Sequence, residues 1–415
     1  MPLLRTLAIA CSATAVLVSA DARCDDAPLV LGREQALALG AERGPGVREA
    51  RAPLRAASEL GDSTRAALAY APRITAFAGP RTGNFGTGLD IGAGVTQELS
   101  LRGLGSRRAD LAAAVAHAAR SEVERARLEG AALAALAWVD LLEAQQLVLV
   151  RAAARVDAEE IARVARARTD RGVAPPAEAA LATAEVGTAE VSERDAEGRL
   201  FEARAALQFA AGFPPSTVLA AAGDLTSGHE PPPLRHAGGE HPAETAARSR
   251  TDLARADQKL ARAQATPTLG IGANYTREGT GEQVVTGTIS VPLPFLDPSR
   301  FDGARHETSV AAAGGQAERI HAELVRDAAI TEHERAHTRE VRETLATRVV
   351  IPLRESERLA RAAYQGGTQD VTAFLLVRQR RISAEEQLGR AAADVQRADL
   401  RYELAHGTLL AQVKR

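Results

Sequence analysis

His333-Glu334-Arg335-Ala336-His337 is the arrangement in this sequence best suited to metal chemistry. On a helix, residues four apart share a face. Two imidazoles at that spacing can hold zinc while the intervening carboxylate acts as general base. An exported zinc hydrolase is therefore one reading. Catalytic zinc also needs a third protein ligand and an open position. Thr338-Arg339-Glu340 does not continue the extended histidine form of the motif, and Glu355 and Glu357 lie beyond Pro352. The stretch reads better as a charged, exposed helix face, which leaves His333 and His337 as weak metal candidates. His229, His236 and His241 lie in or beside a Pro- and Gly-rich segment, where a metal-transfer role competes with a loop of scattered histidines. The chain carries no phosphate-binding glycine loop, no paired catalytic carboxylates and no nucleophile motif. It reads as a non-enzyme with no catalytic residue and no cofactor.

The elements around these residues are unusual. Of 415 residues, 45% are apolar and 25% charged, with a net charge of -2. That balance excludes a disordered polyampholyte, and the absence of basic patches with interleaved aromatics excludes a nucleic-acid partner. Aromatics are only 3%, so Ala, Leu and Val must do the packing, which suits long helices lying close together. A mean hydropathy of -0.15 is too polar for a bundle of membrane-spanning helices, and no segment after the N-terminus reaches 18 consecutive apolar residues. Residues 1–22 read as a cleaved export signal: Arg5, an apolar run from Leu7 to Val18, then Ala20-Asp21-Ala22. Cys11 leaves with it. Cys24 stays without an intrachain partner, and Arg23 before it is a poor lipidation signal.

Two copies of one plan follow. Pro72 and Pro267, Gly172 and Gly367, and Gly212 and Gly407 each share an offset of 195, while Pro45 and Pro242 open the copies at 197 and Leu99 and Leu293 close the strand pairs at 194. The first repeat, 23–222, reads as helix 33–68, strands 73–79 and 88–99, then helices 106–169 and 177–211. The second, 241–415, reads as helix 243–265, strands 268–276 and 283–293, then helices 304–350 and 353–405. Between them, 223–240 with Pro231-Pro232-Pro233 reads as a linker.

The strands alternate cleanly. Leu89, Ile91, Ala93 and Val95 oppose Asp90, Gly92, Gly94 and Thr96; Leu269, Ile271, Ala273 and Tyr275 oppose Gly270, Gly272 and Asn274. A small soluble sheet gives the same pattern. Strands of near-membrane length and the clustering of Tyr70, Phe77, Phe85, Tyr275, Phe295 and Phe301 around them favour a barrel in a bilayer, with an aromatic belt. Four strands cannot close a barrel, so several chains must share one. The helices point the same way. Some 60 residues with only Gly130 as a weak breaker extend about 90 Å, too long for a globule, and apolar residues recur every three or four positions as in helices packed side by side. A soluble coiled-coil scaffold would not need the strands. Gly172 and Gly367 supply the positive φ that a tight turn between antiparallel helices requires.

These residues resemble the outer-membrane efflux protein family, the TolC-like channel subunits, over nearly the whole mature chain. The carriers are Pro45 and Pro242 at the leading helices, Pro72-Arg73-Ile74 and Pro267-Thr268-Leu269 at the strand starts, and Ser290-Val291-Pro292-Leu293-Pro294 at the second exit. The first exit, Gln97-Glu98-Leu99-Ser100-Leu101-Arg102-Gly103 with Arg107-Arg108, is most like subunits of heavy-metal (cobalt-zinc-cadmium type) efflux systems. The breaks are Arg171-Gly172-Val173 and Tyr364-Gln365-Gly366-Gly367-Thr368-Gln369-Asp370. The resemblance implies a mainly α fold with a small β part: four strands per chain, completed to a twelve-stranded barrel in a homotrimer, below which the helices form a periplasmic tunnel. It further implies outer-membrane lipid, a periplasmic adaptor protein and an inner-membrane proton-driven pump as partners. The cargo is then heavy-metal cations, or else drugs or secreted polypeptides. The two turns would form the tunnel tip and gate, with Arg171, Tyr364 and Asp370 beside the glycines. Asp370 could instead simply cap the following helix.

Overall fold

The computed structural model describes residues 28–64, 70–83, 86–225, 240–279, 281–292 and 299–411. The proposed signal, both cysteines, Phe85, His229, His236, Pro294, Phe295 and most of the linker lie outside the described residues.

The chain order is β1 (Leu29–Leu31), α1 (Arg33–Arg43), α2 (Pro45–Ser63), β2 (Arg73–Gly83), β3 (Gly86–Ser100), α3 (Leu104–Asp170), α4 (Pro176–Ala211), β4 (Leu219–Ala221), α5 (Pro242–Gln264), β5 (Thr268–Arg277), β6 (Gln283–Ser290), α6 (Ser299–Thr344), α7 (Ile351–Gln365) and α8 (Val371–Ala405). The 67 residues of α3 extend roughly 100 Å. Along that length α3 packs against α1, α2, α4, α5 and α8, while α6 packs against α5 and α8.

Four differences from the sequence reading have physical causes. The leading helix is two helices, because Gly44 precedes Pro45 and takes an extended ψ of 146° that no helix residue adopts. Pro352 does not separate two helices. A π-helical turn at Leu345–Val350 absorbs it, and the helix continues into α7. The short strands β1 and β4 pair in parallel, a contact between segments 190 residues apart that neither three-residue run announces. Last, α3 is, among the described residues, long and apolar enough to cross a membrane by composition. Part of its apolar surface is covered by protein: Leu128, Trp138, Val139, Leu141 and Leu142 are buried with Leu37, Leu207, Leu219 and Leu400, while Leu133 and Leu149 stay exposed.

That cluster is the main core. The Trp138 Nε1 donates to the Leu31 carbonyl at 2.8 Å, and the Gln145 amide bonds both backbone groups of Ala221, so α3 holds the β1–β4 ribbon directly. The first residues assigned to the linker belong here as well, since Leu225 is buried in the same cluster. Gly130 proves to be a contact residue. A Cβ there would lie 2.5 Å from the Gly40 carbonyl oxygen, and a Cβ on Gly40 would lie 2.2 Å from that of Gly130, so α1 lies backbone to backbone on α3. A second apolar cluster forms at the far end of α3, from Ile161, Ala165, Ala182, Tyr364, Val371 and Phe374.

The sheet has the order β2-β3-β5-β6, antiparallel throughout. The repeats meet at β3 and β5, where Val95 faces Ala273 and Leu99 faces Leu269. Ile74, Ile91, Val95, Ile271, Val285 and Ile289 are all exposed, with Ile289 at 78%. They form one apolar face. Of the aromatics expected in a belt, Phe77, Tyr70 and Tyr275 are the ones whose side chains are described, and they fall in three different places. Phe77 pairs with Gly92 on the opposite face and lies across it, in the space a Cβ would fill, and Tyr70 packs at the sheet–helix junction beside Leu104 and Leu260. Among the described strands only Tyr275 puts an aromatic ring on the apolar face, in register with Ala93 and Val285.

The Gly40–Gly130 contact has a measurable consequence. Gly130→Val is expected to lower unfolding stability by about 1–3 kcal/mol through overpacking, whereas Gly187→Ala, with open space around its Cβ position, should stabilise or leave stability unchanged. Thermal unfolding of the two variants checks this.

Candidate functional site

The helix reversals between α3 and α4 and between α7 and α8 are built alike. Gly172 (φ +71°) and Gly367 (φ +74°) sit in the left-handed region. Around the first, the Gly172 N–H donates to Thr169 and the Val173 N–H to Arg168; around the second, the Gly367 N–H donates to Tyr364 and the Thr368 N–H to Ala363. This is the paired closure that satisfies the last carbonyls of a helix. Gly212 (φ +73°) and Gly407 (φ +67°) end α4 and α8 with the same two bonds. The 195-residue offset is thus a repeat of backbone conformation.

The two turns lie together. Arg168 donates to the Tyr364 carbonyl at 2.6 Å, lies 4.7 Å over the Tyr364 ring and stands 3.5 Å from the Glu178 carboxylate. The Tyr364 ring stacks on Phe374 at 5.5 Å, with Arg361 over the far ring at 5.6 Å. Tyr364 is 2% exposed. Burial first, and then the adjacent Glu178 carboxylate, push its phenol up to about 12, so it stays protonated at neutral pH. About two to three turns further along the helices, Asp157 accepts from Arg361 at 2.8 Å and from Arg378 at 2.9 Å, and Glu357 pairs with Arg361 and Arg381. Burial opposes ionisation of Asp157, but hydrogen bonds from Arg378 and Arg361 outweigh it and hold the carboxyl below the usual range.

The residues singled out from sequence fall into distinct places. Arg171 and Val173 are exposed at the first turn. Gly366 is in a helical conformation (φ -77°), which leaves the left-handed position to Gly367. Asp370 is the N-cap of α8 and accepts from the Ala373 N–H at 2.9 Å. At the strand exit the Gln97 amide donates to the Tyr70 and Glu98 carbonyls, and Glu98 stands 3.7 Å from Arg73. Pro292 is exposed just past β6. His333 and His337 are exposed on α6, well outside the turn cluster, and Glu334 faces Arg401 at 3.8 Å. Among the described residues, no group of three or more His, Cys, Asp or Glu is placed to hold a metal ion. His241 caps α5, its Nδ1 accepting from the Ala243 N–H at 3.1 Å.

Arg168, Glu178, Asp157, Arg361 and Arg378 escaped the sequence reading. Their partners are some 200 residues away: Arg168 and Tyr364 differ by 196 positions, Asp157 and Arg378 by 221. The repeat offset held the signal, since it sets Arg168 opposite Ala363, beside Tyr364.

No family model matches the chain, and no curated protein does. Solved structures do. The CmeC outer membrane channel of Campylobacter jejuni matches with a TM-score of 0.77 at 13% identity, over 91% of this chain and 85% of that one. The outer-membrane channel OprN matches at 0.72 and 19% identity, over 91% and 90%. CusC, solved in conformations that accompany folding and transmembrane channel formation, matches at 0.73 and 13%, over 90% and 92%. The fold is that of the outer-membrane channels. At these identities the fold is what the chain shares with them, and it accounts for the sheet, the long helices and the two adjacent turns as parts of one plan.

Two outcomes test the turn cluster. Asp370→Ala removes the α8 cap and should cost about 1 kcal/mol. Asp157 carries a lowered folded pKa, so its stabilisation is fully present above the unfolded value near 3.9 and is lost as pH falls through the folded one. Hydrogen-exchange protection around residues 154–165 and 374–382, taken relative to the intrinsic rate at each pH, should therefore fall on acidification below about pH 4, and Asp157→Asn should show lower protection already at pH 7.

Proposed function

We propose that this chain is the subunit of an outer-membrane export channel, a passive duct for cargo delivered by an inner-membrane pump through a periplasmic adaptor. One observation carries the reading. The four-stranded sheet exposes an apolar face, has two unpaired edge strands, β2 and β6, and continues into helical walls of about 100 Å. An open edge in lipid leaves backbone groups unsatisfied, so the edges must pair with other copies. Three copies give twelve strands, the assembly implied by the family resemblance. The apolar face then meets lipid, and the face carrying Asp90, Thr96, Asn274 and Phe77 lines the barrel.

In this reading the paired turns are the periplasmic tip. Arg171, Gly172 and Val173, with Gly366, Gly367 and Asp370, form its exposed rim, and the Arg168–Tyr364–Glu178 contact locks the two turns of one subunit together. Tyr364 acts from inside that lock rather than as a free gate residue. Asp370 both caps α8 and places a carboxylate at the rim, where a ring of three would favour cations. The Gln97-Glu98 exit, with Arg107-Arg108 after it, supports heavy-metal cations as cargo over drugs or polypeptides. The repeats 23–222 and 241–415 each supply one strand pair and one turn.

Cell fractionation should place the protein in the outer membrane as a trimer in mild detergent. Recovery as a soluble periplasmic monomer would overturn the channel. Within the channel, Gly367→Leu forces a β-carbon into the left-handed region at roughly 1–2 kcal/mol and should abolish export with the trimer intact, while unchanged export would remove the tip assignment.

A further inference from the structure

The exposed face of α6 carries a pair of groups that the channel plan does not use. His333 and His337 lie one helical turn apart, their rings nearly parallel (6° between planes) with centroids 6.1 Å apart. Both are exposed, as is Glu340, which falls one turn further along the same stripe of the helix. Four other histidines have partners, while His117 stands exposed on α3. A ring nitrogen of His241 receives the Ala243 N–H, His306 pairs with Asp257 at 2.9 Å, His321 with Glu244 at 3.2 Å, and His406 bonds the Tyr402 carbonyl. Among the described residues, His333 and His337 have each other as ring neighbours and no ion pair. Glu334, the would-be general base of the motif, is turned to Arg401 across a groove between α6 and α8.

We propose that His333 and His337 form an exchangeable chelating site for a borderline divalent cation of the Zn²⁺ or Ni²⁺ type. Imidazole nitrogen suits these ions. Side-chain rotation of two unpinned rings brings one nitrogen of each to the roughly 2.1 Å that zinc requires. With two firm ligands and the remaining positions open to water, the ion exchanges with solvent, and no hydrolytic site is assembled because Glu334 is held away. The site stands on α6 alone, whatever the chain transports.

The test is equilibrium dialysis of ZnCl₂ against the full chain, purified in detergent without an affinity tag. Wild type is expected to bind one more zinc per chain than the His333→Ala/His337→Ala double variant. Each single variant should bind that zinc at least about tenfold more weakly, because the second ligand no longer acts at high effective concentration. Glu334→Gln should leave zinc uptake unchanged. Equal zinc content in wild type and double variant would overturn the site, as would its loss in Glu334→Gln. Both histidines are exposed, and helical circular dichroism confirms that each variant is folded.

Discussion

A helix of 67 residues needs partners at several points along its length, and much of the rest of this molecule supplies them. At one end of α3, Leu104 packs with Leu260 and Tyr70 beneath the sheet. In the middle, Trp138 and its neighbours gather α1, α4, α8 and the β1–β4 ribbon. At the far end, Ile161 and Ala165 meet the turn cluster of α7 and α8. An isolated helix of this length would expose most of its apolar stripe. The antiparallel partners, folded back by the glycine turns, are what make it stable.

The covering is thin by composition. Alanines dominate the contacts of α3, and where α1 crosses it two glycines bring backbone against backbone. Small residues allow helices to approach closely with little side-chain bulk between them. With so little apolar bulk, charged residues also enter the helix contacts, and Asp399, Arg378 and Glu357 are buried. Hence the many Arg–carboxylate pairs: Asp157 with Arg361 and Arg378, and Asp399 with Arg335 and Arg339. Removing one partner of such a half-buried cluster leaves the other charge poorly solvated, and so the clusters fix which helix faces which.

Much of this was legible in sequence. Period-two alternation marked the strands and their faces; the structure lengthens the first three by a few residues and ends the fourth at Ser290 rather than Leu293. The 195-residue offset located four glycines that all prove to carry positive φ. Asp370 three residues before Ala373 is a readable cap, and the structure forms it. What was not legible depends on contacts distant in sequence. Phe77 lies within an alternating strand, yet pairing with Gly92 puts it on the polar face and not in a belt. Pro352 signals a break, but a π-turn placed just before it keeps the helix continuous.

The sequence by itself determined the local choices: helix, strand and turn, and which side of each element is apolar. These rest on periodicities and on backbone preferences of Gly and Pro that act within a few residues. The tertiary structure decided which elements meet. The order β2-β3-β5-β6, the seating of Arg168 against Tyr364 and the parallel pairing of β1 with β4 join residues about 190 positions apart. A local pattern is compatible with many such partners. Selection among them comes from burying the apolar clusters that lie along α3, each built from helices distant in sequence.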